Sequence, residues 1–403
     1  MVGVWRILVS VGTVTARLPA VLLLLIYLGY ISLGLPDGSF GVAWPRAHRD
    51  LGLPIGMAGI VVVVALLLAA VAGFSSARII ARWNTAPLVA VSCLLTSSGL
   101  LLISQAQGLA WLIAAAIPLG LGAGAVDAAL NGFVARHYAA RHMNWLHACW
   151  GIGAAGGPLV LAQTMAGGWG WRGGFLVLAG LQFSLALLFF GTLRLWSQVP
   201  DRPFSSGGAA EAESPNGAKA TADSFAGWLS AAIFVLYVAA EGTTGVWAGS
   251  ILVESRGFPA PVAGVCAAGF YGAITVGRFS AGFIVERWGN RRIVNAGGCV
   301  AGAGALLFLV AQTPWLAGTA LALMGLGFAP MYPCLMHEVP RRFAPEAVQT
   351  IIGRQSGSGA FGNATLPAAA GLLAQSSLEL IPWVVIATYA VLMLAIRQLN
   401  RIT

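Results

Sequence analysis

Three carboxylic acids stand well inside long apolar stretches of this sequence: Asp37, Asp127 and Glu241. A charge at the centre of a bilayer costs roughly 2.5–3.5 kcal/mol on insertion scales, so an acid there persists for a reason. A carboxyl held out of water suits a group that takes up and releases a proton in each cycle. Asp127 and Asn131 are four residues apart and share one helix face. Asn144, His147 and Trp150 follow at near-helical spacing, i, i+3 and i+6. A small polar solute is held by bidentate polar groups and an aromatic face, which these residues supply. Glu241 and Trp247 could face them across a cavity, as could Gln355 and Asn363. His147 alone within an apolar run is as costly as the acids and reads as functional. Asp37 follows Pro36 and precedes Gly38, so the first helix is expected to break there and line a cavity rather than lipid. Blander readings stand beside these: an acid hydrogen-bonded between helices for Asp127 and Asp37, and plain packing for Trp150 and Trp247.

The elements that position these side chains follow from composition. Of 403 residues, 58% are hydrophobic and 9% charged, with a mean hydropathy of +0.83. A soluble domain carries about 25% charged residues. A soluble globular enzyme is therefore excluded, and so are disorder, collagen and coiled coil. An all-α membrane protein remains, whose backbone satisfies itself inside lipid. A spanning helix needs about 20 mostly apolar residues. That ruler predicts twelve: 18–44, 54–78, 86–106, 109–135, 145–167 and 172–194, then 227–252, 260–285, 292–311, 314–338, 347–374 and 379–397. Residues 198–224 are polar and rich in Gly, Pro, Ser and Ala, as a flexible linker should be. The expected units are a six-helix bundle over 1–197, a cytoplasmic linker over 198–224 and a second six-helix bundle over 225–403.

Charge sets the expected orientation. Arg6, Arg17, Arg78, Arg82, Arg136, Arg141, Arg194, Arg202, Lys219, Arg287, Arg291, Arg292, Arg341, Arg342, Arg397 and Arg401 fall on one side, and only Arg46, Arg49, Arg172 and Arg256 on the other. Positive residues stay cytoplasmic, so both termini and the linker are expected there, in a multi-pass inner (plasma) membrane protein. Arg278 and Arg354 are left inside helices. Most tryptophans, including Trp44, Trp111, Trp169, Trp171, Trp228, Trp315 and Trp383, lie near span ends and read as interfacial anchors. The net charge of +9 is not a nucleic-acid footprint, because no exposed domain clusters it. Cys93, Cys149, Cys266, Cys299 and Cys334 lie singly, so neither a zinc site nor a disulfide framework is expected. The first apolar run leads straight into more of the same, so no cleaved signal peptide is expected. The glycine-rich runs lack the Lys-Ser/Thr end of a P-loop, so ATP is not expected to drive this chain.

The halves also repeat. SARIIARWNTAPLV (76–89) aligns with AGFIVERWGNRRIV (281–294) at an offset of 205, at the end of the second helix of each half. The second copy resembles the loop signature of the major facilitator superfamily, Gly-xxx-Asp/Glu-Arg-x-Gly-x-Arg-Arg. In the first copy Ala77, Ala81 and Asn84 replace Gly, Asp and Gly, while Arg82 is kept. The resemblance implies the major facilitator fold, two pseudo-symmetric six-helix bundles with solute bound between them. It also implies an inner-face latch of Arg82, Glu286, Arg287, Arg291 and Arg292, with the carboxylate at a helix end or arginine. Topogenic charge is an equal reading for Arg291 and Arg292.

Within that superfamily the chain resembles the fucose permease branch of sugar–proton symporters. The matching stretches are LGAGAVDAALNGF (121–133), NWLHACWGIGA (144–154), YVAAE (237–241), GFYG…GRF (269–279) and YP (332–333). The resemblance implies that Asp127 carries the proton, with Asp37 as its partner. Glu241 would bind a sugar hydroxyl or serve as a second proton site. Asn131, Asn144, His147, Trp150, Glu241, Trp247, Gln355 and Asn363 would bind the solute. His147 and Trp150 replace a Gln and an Asn frequent in that branch, which leaves the particular sugar open. GAAGGP (153–158) is similar to an element of drug–proton antiporters but continues Leu159-Val160-Leu161, and small residues also simply pack helices. The expectation is thus a monomeric secondary transporter that moves a sugar or similar small polar solute with a proton. Proton-coupled efflux of a drug or metabolite is the alternative. No enzyme activity, metal or cofactor is expected beyond the proton as coupling ion.

Overall fold

The structure is a computed structural model and describes residues 2–54, 57–198, 219–374 and 376–403. Most of the expected 198–224 linker lies outside the described residues. Twelve long helices make up most of the described residues: α1 Val2–Asp50, α2 Met57–Trp83, α3 Thr85–Ser104, α4 Leu109–His137, α5 Ala140–Ala166, α6 Gly170–Gly191, α7 Phe225–Ser250, α8 Ala260–Trp288, α9 Asn290–Val310, α10 Pro314–His337, α11 Val348–Ala374 and α12 Leu380–Ile402. The last turn of α7 widens into a π-helical stretch, Ile251–Ser255, and α10 is interrupted by a turn between Phe328 and Met331. Among the described residues there is no β-strand, only an isolated bridge between Ala220 and Phe343. That bridge ties the end of the 198–224 segment to the α10–α11 connection.

Eleven of these helices are long and apolar enough to cross a membrane. The expected twelfth, α11, has the length but not the hydropathy, because it carries Gln349, Arg354, Gln355, Ser356 and Ser358. It packs against α7 on one side and against α2 and α4 on the other, so neighbouring helices receive most of these side chains, while Arg354 reaches the Ala222 carbonyl and the Asp223 carboxylate just before α7.

Packing makes two bundles with the same plan. In the first, α1 lies on α5, α2 on α4, and α3 on α4 and α6. In the second, α7 lies on α11, α8 on α10, and α9 on α10 and α12. Adding six to each helix number turns one list into the other. The bundles meet through α2 with α11 and α5 with α8, two contacts that exchange under the same operation. Small residues set these approaches. A Cβ on Gly124 would collide with the Ala69 carbonyl of α2, and one on Gly73 with the Gly357 backbone of α11. With lipid as apolar as any side chain, such close backbone packing holds membrane helices together.

The repeated motif has a backbone counterpart. The α2–α3 junction turns on Asn84 (φ 65°, ψ 172°) and the α8–α9 junction on Gly289 (φ 79°, ψ 152°). Asn84 is the one non-glycine residue with positive φ among the described residues. The expected break of the first helix is corrected: α1 runs on through Pro36 and Asp37. A proline removes one helical hydrogen bond, but α5 supports this turn by laying Gly153 and Gly157 against the Ile31 and Leu35 carbonyls. Two expected interfacial tryptophans are also corrected. Trp44 and Trp171 are buried, Trp44 stacked on Phe40 and Trp171 donating to the Asp50 carboxylate at 2.9 Å. Trp111, Trp169, Trp228, Trp315 and Trp383 are exposed.

Candidate functional site

The centre of the molecule is organised around Asp127 on α4. Its Oδ1 accepts from Tyr30 of α1 at 2.8 Å and from Asn131, one turn along α4, at 3.0 Å. Its Oδ2 accepts from Tyr332 of α10 at 3.3 Å. One carboxyl is thus held by hydroxyls from both bundles. Asn131 spends its amide donor on Asp127, so its Oδ1 is the acceptor facing His147 Nε2 at 3.0 Å, and that nitrogen carries the proton. The His147 ring sits between Tyr30 and Tyr332, with centroids 5.2 and 4.7 Å away. The i, i+4 spacing of Asp127 and Asn131 therefore builds a relay, and α5 completes it.

A second cluster lies beside the first. Arg278 of α8 is buried, donates to the His147 carbonyl at 3.4 Å, and lies 3.8 Å from the Glu241 carboxylate of α7. Tyr237, one turn before Glu241, donates to the same carboxylate. The Arg278 guanidinium also stands over the Trp150 ring, 5.6 Å from its centroid. Trp150 in turn donates its indole N–H to Asp37 Oδ2 at 2.8 Å. Asp37, Asp127, Asn131, His147, Trp150 and Glu241 are thus brought together. Tyr30, Tyr237, Tyr332 and Arg278 belong to the same constellation and were not singled out as site residues. For Arg278 the signal was present, since a charge inside a span carries the same cost as the acids.

Several of the expected solute contacts are closed off, Asn131 of the central cluster among them. Asn131 and Asn144 are fully buried, and Asn144 donates to the Ala140 carbonyl and faces Cys334 Sγ at 3.8 Å. Gln355 is 1% exposed and donates to Ser230 at 2.8 Å. None of these three is open to a solute in this conformation. Trp247 is partly exposed and donates to the Pro367 carbonyl at 2.9 Å; Asn363 is partly exposed opposite Gly242. By contrast Asp37 is exposed, and Asp127 and Glu241 are partly so.

The contacts between the bundles gather toward one end, the end with most of the arginines. Arg141 at the start of α5 pairs with Glu286 near the end of α8 at 3.2 Å. Trp145 packs edge-on to Phe283 and donates to the Phe279 carbonyl at 3.3 Å. His337 Nε2 lies 3.2 Å from the Tyr138 carbonyl, and Gln349 donates to the Ala128 carbonyl at 3.2 Å. This end is sealed, while the exposed Asp37 lies on the far side of the seal. Glu286 therefore has a partner across the bundles, and that partner is Arg141. Arg291 instead pairs at 3.5 Å with Glu338, a buried acid also facing Arg341, Arg342 and Asn290. All of these belong to the second bundle, so Arg291 braces one half rather than joining two. Burial alone would raise the Glu338 carboxyl, but Arg342, Asn290, Arg341 and Arg291 outweigh it and hold it below the usual carboxylate range. Arg82, Arg287 and Arg292 are exposed. Among the described residues no group of three or more His, Cys, Asp or Glu side chains could hold a metal ion.

Two bundles of like plan, closed at one end over a polar, partly accessible centre, define an alternating-access carrier fold. The family model of the Major Facilitator Superfamily matches residues 26–231 and 229–400, and the chain belongs to that superfamily. No curated protein matches by sequence. Among solved structures, the human organic anion transporter MFSD10 (TETRAN) superposes with a TM-score of 0.71 at 14% identity, over 94% of this chain and 98% of that one. A bacterial homologue of the iron transporter ferroportin, in an outward-facing state, gives 0.74 at 14% identity over the same shares. The E. coli fucose:proton symporter FucP gives 0.67 at 16% identity, again over 94% and 98%. Three carriers named for different solutes share this fold, so the fold does not fix the cargo.

Proposed function

We propose that the chain is a proton-coupled secondary transporter that carries a sugar or a similar small polar solute by alternating access. The observation that carries this reading is the Asp127 carboxyl, held at once by Tyr30 and Asn131 of its own bundle and by Tyr332 of the other. A proton on that carboxyl changes what it accepts from both sides, so protonation and the bundle-to-bundle contact are linked. Glu241 and Arg278 add a second charged pair at the same level, and Trp150 offers a ring face beside it. The solute enters from the unsealed end, contacting Trp150, Glu241, Trp247 and Asn363. Neutralising Asp127 lowers the cost of rocking the bundles past one another. Release requires the sealed end to part, which breaks Arg141–Glu286 and the His337–Tyr138 contact. The arginine-rich end is assigned to the cytoplasm by its charge, with both termini and the 198–224 linker on that side, and the working unit is a monomer.

The resemblance of the Asp127 and His147 stretches to sugar–proton symporters supports the solute class, and the fold likeness to FucP is consistent with it. In proteoliposomes, sugar-driven proton uptake in the wild type and its loss in Asp127→Asn, with exchange of solute retained, supports this assignment. Proton-driven extrusion of amphipathic drugs with no sugar flux overturns it.

A further inference from the structure

We propose that the first bundle holds a second ligand site, a cavity beside Asp37 that accepts an apolar ring carrying an amine. The cavity has a volume of about 150 Å³ and runs among α1, α2, α3, α4 and α6, behind the central cluster rather than between the bundles. Its walls are apolar for the most part, with Phe40, Val61, Leu100, Leu119 and Phe175 among them. A cavity of that size lined by aliphatic and aromatic side chains accommodates a benzene ring.

The few polar groups in the wall all present acceptors. Gln182 is 2% exposed and donates its amide N–H to Thr96 Oγ1 at 2.8 Å. Thr96 spends its own hydroxyl proton on the Cys93 carbonyl, so its oxygen can only accept from Gln182, which fixes the orientation of the amide. Gln182 Oε1 is left buried with no partner among the described residues. A wall whose buried polar atoms only accept offers a carboxylate ligand no donor. Asp37, also in the wall, is exposed, and among the described residues only its Oδ2 is engaged, by Trp150. A carboxylate oxygen at an apolar cavity selects a cationic donor over a neutral one, because charge-assisted hydrogen bonds are about twice as strong as neutral ones. The combination excludes a carboxylate ligand and favours an arylalkylamine, ring in the cavity and ammonium on Asp37.

The site is tested by binding alone, so its failure leaves the proton-coupled reading untouched. Isothermal titration of the full chain in nanodiscs is carried out with 2-phenylethylamine, 2-phenylethanol and 3-phenylpropionate. The expected order is amine at least tenfold tighter than alcohol, with no binding of the carboxylate. Asp37→Asn should remove the preference for amine over alcohol. Val61→Phe and Leu100→Phe, which fill the cavity from two different helices, should each weaken the amine tenfold or more; whichever of them keeps the wild-type unfolding temperature is the one to read. Equal binding of amine and alcohol overturns the proposal. So does amine binding that is lost in Asp37→Asn but survives a folded cavity-filling variant, because the ligand would then sit in the central opening.

Discussion

The Arg141–Glu286 pair joins the bundles at the sealed end, and its contribution to closure can be bounded. The contact is 3.2 Å, with the side chains 47% and 41% exposed. Exposed pairs of this kind contribute about 0.2–1 kcal/mol. Glu286→Gln or Arg141→Gln should therefore raise the ratio of molecules open at this end by about 1.4- to 5-fold, and no more. The rest of the seal, including Trp145 on Phe283 and Gln349 on the Ala128 carbonyl, stays in place. Spin labels at the exposed positions Trp83 and Trp288, one in each bundle, report the opening as a long-distance population in double electron–electron resonance. The double swap Arg141→Glu with Glu286→Arg should restore the wild-type distribution. In about 1 M salt, where charges are screened within about 3 Å, single variants and wild type should converge. A shift greater than tenfold from either single variant, or failure of the swap to restore closure, refutes the view of this pair as a weak, reversible latch.

Other outcomes follow from the same structure. Asn84 occupies a backbone region that favours glycine, at a cost of about 1–3 kcal/mol, so Asn84→Gly should raise the unfolding temperature and Asn84→Val lower it. Gly124→Val forces a side chain into the Ala69 backbone, and a loss of about 1–3 kcal/mol or more is expected in thermal unfolding in detergent. At the unsealed end Arg256 donates to both oxygens of Glu379, at 3.0 and 2.9 Å, and this holds the Glu379 carboxyl below the usual carboxylate range. A lowered folded value stabilises above the unfolded value and is lost as pH falls through the folded one, so wild type should lose stability below about pH 4.5 more steeply than Glu379→Gln. Arg256 is almost wholly buried and also donates to the Phe308 and Ala311 carbonyls. Arg256→Ala should therefore cost about 1–3 kcal/mol at neutral pH, measured by chemical unfolding, the exposure of Glu379 keeping it below the loss for a fully buried pair.

The helices were legible because lipid imposes one simple demand, about 20 apolar residues with an internally satisfied backbone. The same demand explains the exception, since the polar α11 is screened by α2, α4 and α7, and screening is a tertiary fact. The repeat at Asn84 and Gly289 was legible as letters, and its backbone meaning emerged as two matching positive-φ turns. Among site residues, Asp127 with Asn131 and His147 with Trp150 could be read because helical spacing fixes neighbours on one face. Depth along the bundle-to-bundle interface could not be read this way. Asn144 lies on a suitable helix but one turn into the seal, and Gln355 points at Ser230 instead of the opening. Tyr30, Tyr237 and Tyr332 were hidden for a different reason: a tyrosine in an apolar run looks like core until its hydroxyl finds an acid. The expected break at Pro36 failed because the sequence shows the lost hydrogen bond and not the α5 glycines that support the turn.

The central claim is that the Asp127 carboxyl couples a proton to movement of the bundles. The direct measurement is solute-driven internal pH change in proteoliposomes holding wild type or Asp127→Asn, beside counterflow of the same sugar. The account predicts proton uptake with the wild type, none with the variant, and counterflow retained in both. Proton-coupled accumulation that persists in Asp127→Asn contradicts it.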